Sequence, residues 1–262
     1  MKKVISKDGT GIAFDQSGKG PAVILIGGAL TQRSDPQVTS LAALLTPNFT
    51  VIGYDRRGRG DSGDTAPYTV AREVEDLEAL IDEAGGSAFV YGHSSGATLA
   101  LAAARKPGAK IKKLVLYEPP FTGTENGGRA PAEHLAQLKE LLAAGKRPEM
   151  LKYFMTQIAG MPTEALAPVK DSPMWQGLLS LAPTLVYDLT IMSDFSNPAE
   201  RFSDIRTPTL ALDGGASPAW AHEAAQMLVD ILPNAKRRTL PGQTHAVDPA
   251  VLAPVLVEFF KD

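Results

Sequence analysis

A serine flanked at two residues' distance by glycines, Gly92-His93-Ser94-Ser95-Gly96, lies between a short apolar run at residues 88–91 and an alanine-rich helical stretch at residues 97–105. At a strand-to-helix junction this spacing forces a sharp turn, the glycines leaving room for the neighbouring strand and helix, and it lifts the Ser94 hydroxyl above the sheet edge. A hydroxyl presented in that way can attack a carbonyl once a base takes its proton. The pentapeptide alone is a weak signal, because glycine and serine are common turn residues. It gains weight from its flanking elements and from whether a base, an acid and an oxyanion site follow in a workable chain order.

Four histidines compete for the base. His93 adjoins the serine on a turn whose side chains are expected to diverge. His134 falls on a polar helix and His222 on the helix after the strand that ends at Asp213, so both read as surface positions. His245 lies in a loop after the last strand, downstream of the serine and of the candidate acids. An imidazole in this role needs a carboxylate on its second nitrogen to fix the tautomer and stabilise the imidazolium. Glu118, ending a strand at residues 112–117, and Asp213, ending one at 209–213, both stand at carboxyl ends of strands, where open α/β sheets place their ligands. The turn Gly27-Gly28-Ala29-Leu30 at the end of the apolar run 22–26 is a natural anion site.

These residues need a sheet to position them. Residues 22–26 and 50–54 are the near-continuous apolar runs of central parallel strands buried on both faces, and residues 3–6 and 11–15 form a hairpin about Asp8-Gly9 at the sheet edge. Strands alternate with helices at residues 37–45, 70–84 and 97–105, and again after residue 203, with strands at 209–213 and 236–240 and helices at 218–232 and 249–260. The segment Asp55-Arg56-Arg57-Gly58-Arg59-Gly60-Asp61-Ser62-Gly63 reads as a tight, internally salt-bridged surface turn, and helix 70–84 as apolar beneath an acidic, solvated face. From residue 121 to 202 the alternation lapses into proline-broken helical pieces, which reads as a cap inserted in a core made of residues 1–120 and 203–262. Leu30, Phe121, Phe154, Trp175, Trp220 and Val247 are candidates for its substrate pocket.

At 262 residues the chain is long enough for one large α/β domain with its own core. It has no cysteine, which excludes disulfides, thiolate metal sites and a cysteine nucleophile. A net charge of -3 without a basic run points away from nucleic acid and membrane surfaces and towards a small-molecule partner. No stretch suits a signal peptide or a membrane span, so a cytoplasmic protein needing no metal or cofactor is expected.

On these residues the chain resembles the α/β-hydrolases, from the first strand to the last helix, with only the cap lacking recognisable motifs. The resemblance implies Ser94 as nucleophile, His245 as base, and the backbone N–H groups of Ala29 and Ser95 as oxyanion hole. Many members of that family carry their acid in a Gly-x-x-Asp turn after the seventh strand, and here the turn is Gly214-Gly215-Ala216-Ser217. A subset, including zearalenone lactonases and some haloalkane dehalogenases, carries it at the end of the sixth strand. The chain is similar to the lactonases at Gly92-His93-Ser94-Ser95-Gly96-Ala97, Tyr117-Glu118-Pro119-Pro120, Gly215-Ala216-Ser217-Pro218 and Leu240-Pro241-Gly242. Dehalogenases use an aspartate where this chain has Ser94.

Glu118 is therefore expected to be the acid, with Asp213 as the alternative and a structural part for Asp213 at the Gly214-Gly215 turn. The implied activity is hydrolysis of a carboxylic ester or lactone through an acyl-enzyme. The alternatives are a non-hydrolytic use of the site, as in a carbon–carbon or cyanohydrin lyase or a cofactor-free perhydrolase, and a slow-turnover binding protein on the same fold.

Overall fold

The protein is described by a computed structural model covering residues 1–106, 108, 110–121, 131–194 and 198–262. Its strands are β1 (Lys2–Ile5), β2 (Gly11–Ser17), β3 (Ala22–Ile26), β4 (Thr50–Tyr54), β5 (Ala88–His93), β6 (Ile111–Tyr117), β7 (Thr209–Gly214) and β8 (Ala235–Leu240). They form one sheet in the order β1-β2-β4-β3-β5-β6-β7-β8, antiparallel where β2 meets β1 and β4 and parallel everywhere else. The order reverses about β3, and the loops leaving the carboxyl ends of β3, β5, β6 and β7 open side by side there.

Alternation along the strands feeds two cores. Ile24, Ile52, Val90, Leu114 and Leu116 pack beneath α2 (Val70–Glu83), α3 (Ser95–Arg105) and α10 (Ala219–Ile231). Val23, Leu25, Phe89, Tyr91 and Leu212 face the other way, under α1 (Pro36–Leu45) and α11 (Pro249–Lys261). There the Phe89 and Phe260 rings stack with centroids 4.9 Å apart. Fully burying one such side chain stabilises the fold by about 1.5–3 kcal/mol, so the central runs specify strands that can lie only inside.

Between β6 and β7 come the helices α4 (Pro131–Ala143), α5 (Arg147–Tyr153), α6 (Leu166–Lys170), α7 (Trp175–Leu181), α8 (Leu185–Asp194) and α9 (Pro198–Phe202). Residues 122–130 and 195–197 of the expected cap lie outside the described residues. Leu138, Met150, Leu151, Ala182, Leu185 and Leu189 give these helices an apolar cluster of their own. The α8 helix is fastened to the sheet's loops: the Tyr187 ring stacks on Tyr68 with centroids 3.8 Å apart, and its hydroxyl donates to Asp64 at 2.7 Å. No helix among the described residues is long and apolar enough to cross a membrane.

Two expectations fail here for one reason. Arg56, Arg57 and Arg59 are 2%, 0% and 1% exposed, so the arginine half of their salt-bridged turn is internal, while Gly60 and Asp61 stay at the surface. On α2, Glu73 and Asp76 are buried instead of solvated, Glu73 gripping Arg56 and Asp76 gripping Arg57 through paired bonds of 2.6–2.8 Å. Both acids sit at helical spacing from Val70, Leu77 and Leu80, on the buried side of α2. Charge there survives because each carboxylate meets a guanidinium fork with matching geometry.

Candidate active site

β5 ends in a strained elbow. Ser94 follows the strand at φ 54°, ψ -127° and precedes the first turn of α3. A Cβ on Gly92 would lie 2.6 Å from the Ala97 Cα, and one on Gly96 would lie 2.5 Å from the Ile26 carbonyl oxygen, so any side chain at either place would push strand and helix apart. Among the described residues only Leu30, Ser94 and Glu118 are non-glycine residues with positive φ, at 57°, 54° and 45°. They follow β3, β5 and β6, and strain of about 1–3 kcal/mol at each is of the kind that gathers at functional sites.

The elbow and the acid share one register. Ser94 N–H donates to the Tyr117 carbonyl at 2.9 Å, and Glu118 N–H to that of Leu212 at 3.0 Å, extending the parallel pairing by one step at each strand end. The Glu118 carboxylate is fully buried, and its Oε2 lies 2.7 Å from His245 Nδ1. Its Oε1 accepts from Gly214 N–H at 2.7 Å and from the Ser217 hydroxyl at 2.5 Å. Burial works against the charge, but the bonds from His245, Ser217 and Gly214 outweigh it and hold the carboxyl below its ordinary value. An ionised carboxylate on Nδ1 leaves the other ring nitrogen of His245 as the basic one.

The His245 loop is held from two sides. The Tyr117 hydroxyl donates to the Thr244 carbonyl at 2.6 Å, and His93 Nε2–H donates to the His245 carbonyl at 2.9 Å. The His93 ring does not diverge from the site as expected: its centroid is 4.8 Å from that of His245. Burial, then the neighbouring His245, push the His93 pKa down to about 4, so at neutral pH it is an uncharged donor rather than a second base. Trp220 sets its ring edgewise to His245, centroids 5.6 Å apart.

Beside the serine lies the turn after β3. A Cβ on Gly28 would fall 2.9 Å from the Ser94 Cβ, so this backbone touches the serine side chain as only glycine allows. Arg59 Nη1 donates to the Gly28 carbonyl at 2.6 Å and to that of Thr31 at 3.2 Å. Its Nη2 holds both oxygens of Asp188, at 2.9 and 2.7 Å, and Asp188 Oδ1 also accepts from Arg56 Nη1 and the Ser95 hydroxyl, each at 2.7 Å. Burial opposes the charge on Asp188, but Arg59 and Arg56 prevail and keep its carboxyl below the ordinary range. Sequence reasoning missed this cluster. Its one available signal was three arginines beside two acids on the apolar side of a helix; Asp188 itself stands more than a hundred residues away.

Asp213 does not meet His245 among its hydrogen bonds. Its carboxylate is held by Arg237 at 2.8 and 3.1 Å, by His222 Nδ1 at 2.6 Å and by the Thr239 hydroxyl at 3.0 Å. His222 is thus a partner of Asp213, and His134 lies 3.0 Å from the Tyr153 hydroxyl. Of the pocket candidates, Leu30, Phe154 and Trp175 pack on the cluster of the β6–β7 helices. Val247 is buried and, with His93, lines a small apolar cavity between α1 and α11. Phe121 is drawn into the sheet's core beside Phe202, their centroids 6.2 Å apart. No group of His, Asp or Glu among the described residues could hold a metal ion.

Comparison with known proteins speaks to the fold and the family. Residues 23–255 match the profile of the alpha/beta hydrolase family. An alpha/beta hydrolase from Sphaerobacter thermophilus superposes with a TM-score of 0.90 at 51% identity, covering 99% of this chain and 100% of that one. A thermophilic esterase from Thermogutta terrifontis shares the fold at 21% identity, with a TM-score of 0.78 over 99% and 97% of the two chains. In sequence, the chain is 33% identical to N-formylmaleamate deformylase of Pseudomonas putida over 111 residues, 40% of each protein. The chain spans between 12% and 40% of the length of the curated relatives it matches.

Proposed function

Because the chain belongs to the alpha/beta hydrolase family, we propose that it is a serine hydrolase cleaving a carboxylic ester or lactone, with Ser94, His245 and Glu118 as its catalytic residues. The observation that carries this reading is the 2.7 Å contact between Glu118 and His245 beside the strained serine elbow. Ser94 Oγ attacks the carbonyl carbon while His245 takes its proton, and Glu118 stabilises the imidazolium that forms. The negative oxygen of the tetrahedral intermediate accepts hydrogen bonds from Ala29 and Ser95 N–H. As the intermediate collapses, His245 returns the proton to the departing alkoxide. In the second step water, deprotonated by His245, attacks the acyl-enzyme, and the acid is released with Ser94 restored. In a lactone both fragments leave as one hydroxy acid.

Residues 121–202 act in this proposal as a cap over the serine, with Leu30, Phe154 and Trp175 the apolar positions nearest to substrate choice. The motifs shared with zearalenone lactonases support an acid after β6 and keep lactones among the substrates. A silenced binding protein drew its support from Ser217 standing where an acid was expected, and Glu118 supplies the carboxylate that position lacks. The test is a panel of nitrophenyl esters of rising acyl length and of monocyclic lactones followed by pH-stat. Saturable release of acid from at least one member is expected. No turnover of any member above that of Ser94→Ala would overturn the proposal.

A further inference from the structure

The cluster around Asp188 reaches both residues beside the proposed oxyanion donors, Arg59 through the Gly28 carbonyl and Asp188 through the Ser95 hydroxyl. The Gly28–Ala29 bond is among the trans peptides, so the Gly28 carbonyl and the Ala29 N–H point in opposite directions across one plane. Arg59 holds that carbonyl at 2.6 Å, which fixes the Ala29 N–H in the opposite direction, next to a Gly28 that packs against Ser94. Its second bond, to the Thr31 carbonyl, closes over Leu30, whose φ of 57° needs outside support to persist. The other peptide is set likewise. The Ser94 carbonyl accepts from Ala97 N–H at 2.8 Å inside α3, which aims Ser95 N–H out of the helix start, and the Ser95 hydroxyl is tied to the same Asp188.

We propose that Arg59 and Asp188 are positioning residues that fix the oxyanion donor of Ala29, Asp188 holding Arg59 in place from α8. The carboxylate is fully buried and is the acidic partner of Arg59, so losing its charge would loosen Arg59 and the Gly28 carbonyl with it. Donors organised before the reaction are what a negative oxygen needs, since no energy is then spent in turning them.

The inference rests on the proposed serine hydrolysis, and the experiment separates the two. Arg59→Lys and Asp188→Asn are compared with wild type on a nitrophenyl ester, rates being referred to active sites titrated with a phosphonate. Affinity is also measured for an alkylboronic acid, whose Ser94 adduct carries a negative oxygen. Expected are a fall in kcat of about 10-fold or more with KM within about threefold, a matching loss of boronate affinity, and an unmoved pH profile. Asp188→Asn leaves a buried cation under-compensated, and if it does not fold, Arg59→Lys, which keeps the cation but not the fork, decides. If neither folds, Ser95→Ala, which removes only the hydroxyl tie, is expected to lower kcat and boronate affinity together. Folded variants with kcat within twofold of wild type, or with boronate affinity unchanged, overturn the inference. A wild-type protein inert towards esters and phosphonate would instead strike the proposed function.

Discussion

The Ser217 hydroxyl donates to Glu118 Oε1 at 2.5 Å, while the other oxygen of the same carboxylate meets His245. The residue standing in the turn where many relatives of this fold carry their acid therefore supports an acid that arrives from β6. Ser217 and Gly214 N–H together consume Oε1 and leave Oε2 to the imidazole alone. From this follows the sharpest comparison of the two carboxylates at the strand ends. Glu118→Gln, which keeps shape but loses charge, is expected to lower kcat by ~10⁴, as in a comparable triad. Asp213→Asn disturbs a buried network with Arg237, His222 and Thr239 that does not include His245, and is expected to leave kcat within about tenfold. Steady-state kinetics on folded variants reads the difference, and the reverse ranking would transfer the acid's role to Asp213.

Ser217 gives a graded version of the same test. Ser217→Ala removes one hydrogen bond to a charged group, worth about 1.5–3 kcal/mol where it is made, and raises the Glu118 pKa. A kcat several-fold lower, with the acidic limb of the profile moved to higher pH, is expected. Ser217→Asp sets a second carboxylate against Oε1, and repulsion should cost more activity than the alanine does. Full activity in Ser217→Asp would mean that the turn's own acid can replace Glu118.

Acid stability should bear the mark of His93. Its pKa falls from 6.5 in an unfolded chain to about 4 when folded, so between those values the unfolded state binds a proton that the native state does not. Stability accordingly drops as pH is lowered through that window and levels off beneath it. Glu118, held below its ordinary value, contributes stability above the unfolded carboxylate pKa and loses it only as pH falls through its own lower pKa. Urea unfolding at pH 7, 5.5 and 4 should show His93→Asn losing less stability on acidification than wild type. Parallel losses would remove His93 as the cause.

Arg57, in the same turn as Arg59, pairs with Asp76 of α2, and the buried pair bonds to none of the proposed catalytic groups. Removing one member of such a pair costs about 3–5 kcal/mol, because the other charge is left buried. Asp76→Ala should lower unfolding stability by roughly that amount, with kcat per titrated site near that of wild type. A large fall in kcat at intact stability would tie Asp76 to the site.

Much of this was legible in the chain. The apolar runs 22–26 and 50–54 coincide with β3 and β4, because burial on both faces selects nearly continuous apolar side chains, Thr50 standing half-buried at the start of β4. Chain order placed His245 after the acids, and the carboxyl end of β6 made Glu118 a candidate before any distance was known. Side-chain direction was not legible. His93 was set aside on its backbone turn, yet the path of the His245 loop brings a carbonyl within 2.9 Å of its ring. Charge predicts exposure at Arg56, Arg59, Glu73 and Asp76 only where no partner arrives to bury it, and here Glu73 meets Arg56, Asp76 meets Arg57 and Asp188 meets Arg59. Asp188 arrives from a segment without strand rhythm, and no local pattern announces it.

The central claim is that Ser94 carries the acyl group. Incubating the folded protein with a fluorophosphonate and weighing it intact should show one adduct, mapped by peptide sequencing to Ser94, absent from Ser94→Ala and much slowed in Glu118→Gln. An adduct that persists undiminished in Ser94→Ala, or no adduct on wild type, would contradict it.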